Sequence, residues 1–232
     1  METEARPAFY ALAPGGARDY VTLLHPPYTL WHLGYVAIGA ALAPRVEWLR
    51  LAETLVAFFL ALGIGAHALD ELRGRPLRTQ IPSRTLVALA VMSIAGAAAI
   101  GIVVALQTNV WILAFVAAGV FLVVAYNLEL AGGRFHGDWW FAVAWGAFPL
   151  ATAYFAQRGR IDGTAVAASA FAALLSYAQR LLSTHARSVR RETHRADPQA
   201  AEALTRPAEL TLRALAAAVV ALAVALLLRH VR

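Results

Sequence analysis

The chain has 232 residues, 60% of them hydrophobic, a mean hydropathy of +0.59 and a formal charge of +6. A soluble domain is nearer half apolar, so the excess faces something other than water; the lack of cysteine excludes disulfides, zinc–thiolate sites, iron–sulfur clusters and a cysteine nucleophile. All 20 Lys/Arg positions are arginine and stand mostly between apolar runs, so anionic lipid headgroups are the expected partner and nucleic acid is not.

Residues 1–27 are polar and proline-containing, and without a basic start and apolar core they do not form a signal peptide; they read as a cytoplasmic or interfacial segment. Residues 28–230 read as one transmembrane domain, an all-α membrane protein of about seven helices. The apolar runs are Tyr28–Ala43, Trp48–Leu69, Thr85–Leu106, Val110–Leu130, Trp139–Phe155, Thr164–Leu182 and Leu210–Leu228. Short links favour antiparallel neighbours. Asp70–Arg84 and Ser183–Glu209 are the links long enough to be functional loops. Trp31, Trp48, Trp111, Trp139 and Trp140 sit near run ends and read as interfacial anchors.

Alternating the runs places Arg45, Arg50, Arg158, Arg160, Arg229 and Arg232 on one side and the more numerous remaining arginines, Arg6 and Arg195 among them, on the other. The arginine-rich side is expected to be cytoplasmic, with the N-terminus there, in the plasma membrane of a prokaryote.

Polar residues collect at that same side. His32 lies one turn into the first run; His67, Asp70 and Glu71 close the second; Tyr126, Asn127 and Glu129 close the fourth; Gln179, Arg180, His185 and Arg187 close the sixth. Polar groups at membrane depth are costly and turn toward a cavity or one another. In His67-x-x-Asp70-Glu71 the spacing puts imidazole and carboxylates on one helix face. That set suits a divalent metal, and a solvated helix end paired with Arg73 and Arg75 is the alternative. His136, His194 and His230 read as ordinary loop or terminal residues. Arg50 and Glu53, at the opposite end of the second run, are placed outside the site. Arg180 and Arg187 are the arginines best placed to clamp an anion.

Gly65-Ala-His-Ala-Leu-Asp-Glu-Leu-Arg-Gly-Arg-Pro-Leu77 resembles the first aspartate-rich motif of the UbiA superfamily of intramembrane prenyltransferases. Tyr126-Asn-Leu-Glu-Leu with Gly137-Asp-Trp resembles that family's helix 4–5 loop, and Trp145-Gly-Ala-Phe-Pro149 and Ala156-Gln-Arg-Gly159 resemble its fifth helix. The resemblance spans roughly Pro26 to Arg191. It implies a UbiA-like bundle, an isoprenyl diphosphate substrate and magnesium. It also implies Asp70 and Glu71 as catalytic metal ligands, Tyr126 as a catalytic residue, and Arg73, Arg78, Asn127, Arg180 and Arg187 as substrate contacts. The chain departs from the pattern where the second aspartate-rich motif would follow the sixth run. There it reads Ser183-Thr-His-Ala-Arg-Ser-Val-Arg-Arg-Glu192, and the family's nine helices become seven runs.

Three functions remain open on the sequence. One is a divergent prenyltransferase acting on an isoprenoid diphosphate. Another is a different metal enzyme using His32, His67, Asp70, Glu71 and His185. The third is a non-catalytic lipid-binding protein on the same scaffold. A transporter is disfavoured, because there is no internal repeat or matching pair of broken helices.

Overall fold

The computed structural model describes residues 7–193 and 196–231; residues 1–6, His194, Arg195 and Arg232 lie outside them. There is no strand among the described residues. The helices are α1 (Ala17–Leu23), α2 (Pro26–Ala41), α3 (Trp48–Leu72), α4 (Ser83–Gln107), α5 (Ile112–Asn127), α6 (138–158), α7 (Gly163–Thr193) and α8 (Pro198–Leu228). Two helices carry π-helical stretches, Phe59–Ala66 in α3 and Ala142–Ala147 in α6. Each expected apolar run corresponds to one of α2 to α8.

Ser183–Glu209, expected as a loop, is instead mostly helical. The arginine-rich end of α7 continues to Thr193, and α8 starts at Pro198 behind Asp197, whose side chain accepts from the backbone N–H of Gln199 and Ala200. Arginine and alanine are good helix formers, and proline at the first helical position has no N–H to leave unpaired.

Side-chain contacts at the two ends fix the alternation of the helices. At one end, His25 before α2 meets His67 of α3, Arg73 after α3 meets Glu129 after α5, and Asp138 of α6 meets Arg180 of α7. At the other, Arg50 of α3 donates to Ala156 O of α6, and His230 after α8 bonds Ala41 O of α2.

Four helices, α3, α4, α7 and α8, are long and apolar enough to cross a membrane, consistent with an integral membrane protein. On α4, Met92 and Leu106 are 71% and 76% exposed, an apolar surface out of place in water. Helix α2 has only 16 residues, about 24 Å at 1.5 Å per residue, short of the roughly 30 Å hydrocarbon core. It packs among α3, α6 and α8, and Trp31, Tyr35 and Val36 are completely buried. Trp31 is therefore no interfacial anchor: its indole N–H donates to the Tyr35 hydroxyl at 2.6 Å inside the core. Trp48, Trp111, Trp139 and Trp140 are exposed, as expected of anchors.

Two glycines set close helix spacing, Gly146 next to Trp145 and Gly39 toward the opposite end of α2. A Cβ at Gly39 would lie 2.3 Å from Leu150 O, and one at Gly146 would lie 2.5 Å from Ala172 O. Only glycine lets α2 approach α6, and α6 approach α7, so closely.

Candidate functional site

The end of α3 separates the two neighbouring carboxylates. Glu71 is fully buried and faces back into the loop that follows it. Its Oε2 accepts from the N–H of Leu77 at 2.9 Å, and its Oε1 accepts from the N–H and hydroxyl of Thr79 at 2.8 and 2.9 Å. Gly74, Arg75 and Arg78 take positive φ to bring those donors round, and Arg75 ties the loop further to Ile81 O and the Ser83 hydroxyl. Glu71, expected as a catalytic metal ligand, is instead the internal anchor of this loop. The Asp70 carboxylate makes no hydrogen bond or ion pair among the described residues and lies within electrostatic reach of His136, Arg187 and Arg180.

His67 is buried, and its Nδ1 lies 3.1 Å from Gly63 O inside the π-helical stretch. A carbonyl only accepts, so Nδ1 carries the proton and Nε2 keeps its lone pair. The His67 ring stacks on His25 at 3.9 Å between centroids, 9° from parallel. His25 bonds the Tyr10 hydroxyl at 2.9 Å through Nδ1. Burial holds the His25 imidazole well below the ordinary histidine range, reinforced by His67 and Arg187, and burial likewise pushes the Tyr10 phenol well up.

Phe141 of α6 is the hub of the remaining groups. Its centroid is 6.1 Å from His32, 6.1 Å from Tyr126 and 5.7 Å from Trp145, and the Arg180 guanidinium lies 5.5 Å above it. Arg180 pairs with Asp138 at 3.2 Å. The Tyr126 ring packs against Trp145 and His136, both at 4.4 Å, and His136 also bonds Tyr126 O through Nδ1. Gln179 is buried on α7 one turn beyond Ser176, whose hydroxyl bonds Tyr35 of α2, so it faces α2 at the level of His32. The result is a polar chamber of packed side chains, a buried cluster at which α2, α3, α5, α6 and α7 meet.

Several expected members lie elsewhere. Arg73 is half exposed and donates to Leu128 O and Glu129, bracing α3 against α5. Arg78 is exposed on the loop. Asn127 is buried but donates to Val123 O within its own helix. His185 is exposed on α7. Among the described residues no three His, Asp or Glu side chains converge on a shared metal position. The mixed set of His32, His67, Asp70, Glu71 and His185 is therefore not assembled: Glu71 turns into its loop and His185 faces outward.

Sequence reasoning passed over His25, His136 and Asp138 as site members. His25 had one usable signal, a histidine directly before the Pro26-Pro27 helix start. The other two come from a loop whose fold depends on contacts distant in the chain.

Below the chamber, α3, α4, α5 and α6 line a partly open apolar cavity of about 100 Å3. Leu62, Val123 and Trp145 line its upper part and Glu53 its far end. Glu53, set outside the site on sequence, thus borders a cavity that reaches toward it. The chain matches no family model, no curated protein and no solved structure.

Proposed function

We propose that the chain crosses the membrane with all of α2 to α8, its N-terminus cytoplasmic, and acts as a divergent UbiA-like prenyltransferase on an isoprenoid diphosphate lipid. The observation that carries this is the double role of Trp145. It lines the apolar pocket and packs 4.4 Å from Tyr126 of the polar cluster, so the two stand one ring apart, an arrangement that suits a ligand with a hydrocarbon tail and a polar head. The alternating helices and the arginine-rich side support the topology.

In this reading the tail lies against Leu62, Val123 and Trp145 and the head group beside Asp70, Arg180 and Arg187. The two guanidiniums offset the charge that develops on the diphosphate as the allylic C–O bond breaks. Magnesium, which the family resemblance implies, would find one available carboxylate in Asp70. Such ions are commonly held by one or two carboxylates and completed by phosphate oxygens and water. When bound, it would neutralise further charge on the leaving group.

The test is incubation of the purified full chain with isoprenyl diphosphates, magnesium and a panel of acceptors, reading diphosphate release. Release that falls at least about 100-fold in Asp70→Asn supports transfer; no release with any pairing overturns it. One observation favours a second reading, a non-catalytic lipid-binding protein. With Glu71 committed to its loop, Asp70 and Asp138 balance Arg180 and Arg187, and no second acidic motif remains. Tight isoprenoid binding without release is the outcome that reading expects.

A further inference from the structure

The cavity below the chamber ends at a charged mouth. Its middle wall is aromatic: Phe148 lies 6.0 Å from Phe58 and 6.2 Å from Phe115 between ring centroids. At the far end the lining turns polar, with Glu53 and Thr54 of α3 and Thr152 of α6. Polar side chains are costly at membrane depth and turn toward a cavity. Glu53 does so about 7.5 Å along the helix axis from Trp48, the first residue of α3. Arg50 is held at the same place, because its Nη1 donates to Ala156 O at 3.0 Å and Ala156 lines the cavity. Val120, another lining residue, is exposed on the outside of the bundle, so the cavity opens sideways toward lipid.

The chemistry of this mouth narrows the ligand. Arg50 and Glu53 stand one helical turn apart, yet the Glu53 carboxylate has no hydrogen bond or ion pair among the described residues. The two threonines do not serve it: the Thr54 hydroxyl donates to Arg50 O and the Thr152 hydroxyl to Phe148 O, both at 2.7 Å. A carboxylate only accepts, so its partner must donate, and a positively charged donor suits it best. Arg50 keeps further N–H groups for an oxyanion. A fatty acid would meet Arg50 and be repelled by Glu53, and a simple amine would leave Arg50 without an anion. A head group carrying both ammonium and phosphate answers both. Side chains three apart on a helix, about 5–6 Å between Cβ atoms, match the two-carbon bridge of an ethanolamine phosphate. A choline head group lacks the N–H donors that the carboxylate takes.

We propose that this mouth binds an ethanolamine phospholipid from the adjoining membrane leaflet. The ammonium donates to Glu53, the phosphate accepts from Arg50, and one acyl chain enters the cavity against Phe58, Phe115 and Phe148. The chain occupies the part of the cavity away from Leu62, Val123 and Trp145. The site lies at the end of the bundle opposite the chamber and does not depend on the transfer reading.

The experiment is native mass spectrometry of the full chain in a nonionic detergent, titrated with dioleoylphosphatidylethanolamine and with dioleoylphosphatidylcholine. The two lipids share acyl chains, phosphate and net charge and differ in the ammonium N–H groups. The ethanolamine lipid is expected to bind at least about ten-fold more tightly. Glu53→Met should abolish that preference, and it should melt at the wild-type temperature or above it, because it removes a carboxylate without a partner. Arg50→Gln should weaken both lipids about ten-fold, since both carry the phosphate. Equal affinities in the wild type, a preference that survives Glu53→Met, or wild-type affinities in Arg50→Gln each overturn the proposal. If Arg50→Gln does not fold, the wild type and Glu53→Met still decide.

Discussion

Asp70 and Glu71 are adjacent acids with opposite employment. Glu71 satisfies two backbone N–H groups and one hydroxyl of the loop at 77–79, whereas Asp70 faces the chamber. Glu71→Ala leaves three buried donors without an acceptor, each costing about 1–3 kcal/mol. We expect it to lower stability by about 3 kcal/mol or more, read as a fall in melting temperature in detergent. Asp70→Asn, which breaks no hydrogen bond among the described residues, should melt close to wild type while losing function. A reversed order of the two would sink this division of labour. The sequence showed that His67, Asp70 and Glu71 share one helical turn, and helix periodicity suffices for that. It did not show which acid was taken, because the donors that claim Glu71 arrive through the positive-φ positions Gly74, Arg75 and Arg78, a backbone path that local propensity does not dictate.

At the scale of elements, apolar runs were legible because lipid-facing and core-facing helices both demand long hydrocarbon stretches. The ends of α7 and α8 were not, since an amphipathic helix leaving the membrane loses its apolar signature while remaining helical. The distances between helices were equally invisible. Gly39 reads as one small residue among many, yet it is where α2 meets the backbone of α6. Gly39→Ala is expected to destabilise by about 1–3 kcal/mol, because the added methyl would need Leu150 O to retreat from 2.3 Å. Chemical denaturation of the detergent-solubilised variant measures it, and an unchanged midpoint would show that α6 yields freely.

For the whole molecule, the absence of cysteine offers a clean test of topology. Single cysteines at Ser83 and Arg160 lie in the segments flanking opposite ends of the bundle, and both positions are exposed. In intact cells a membrane-impermeant thiol reagent is expected to label Arg160→Cys and to spare Ser83→Cys until the membrane is opened. The reverse pattern would invert the proposed orientation, and labelling of both would place the two segments on the same side. The arginine asymmetry that motivates this was readable from sequence alone. The burial of α2 was not, because a helix of 16 residues crosses only if its neighbours shield it.

The π-helical stretches in α3 and α6 carry a further meaning. A π turn holds an i→i+5 hydrogen bond, so each stretch is wound more loosely than the α-helix on either side. In α3 it ends one residue before His67, and in α6 it contains Trp145. The direction in which these side chains project is thus a matter of phase along the chain. Loss of a single residue at either place would let the helix rewind to 3.6 per turn with the segments on either side nearly in phase, because one residue fewer at about 100° turns about as far as the looser π stretch does. A one-codon deletion within a π stretch would thus keep chamber and cavity in register, whereas one elsewhere in α3 or α6 would turn every side chain beyond it by about 100°.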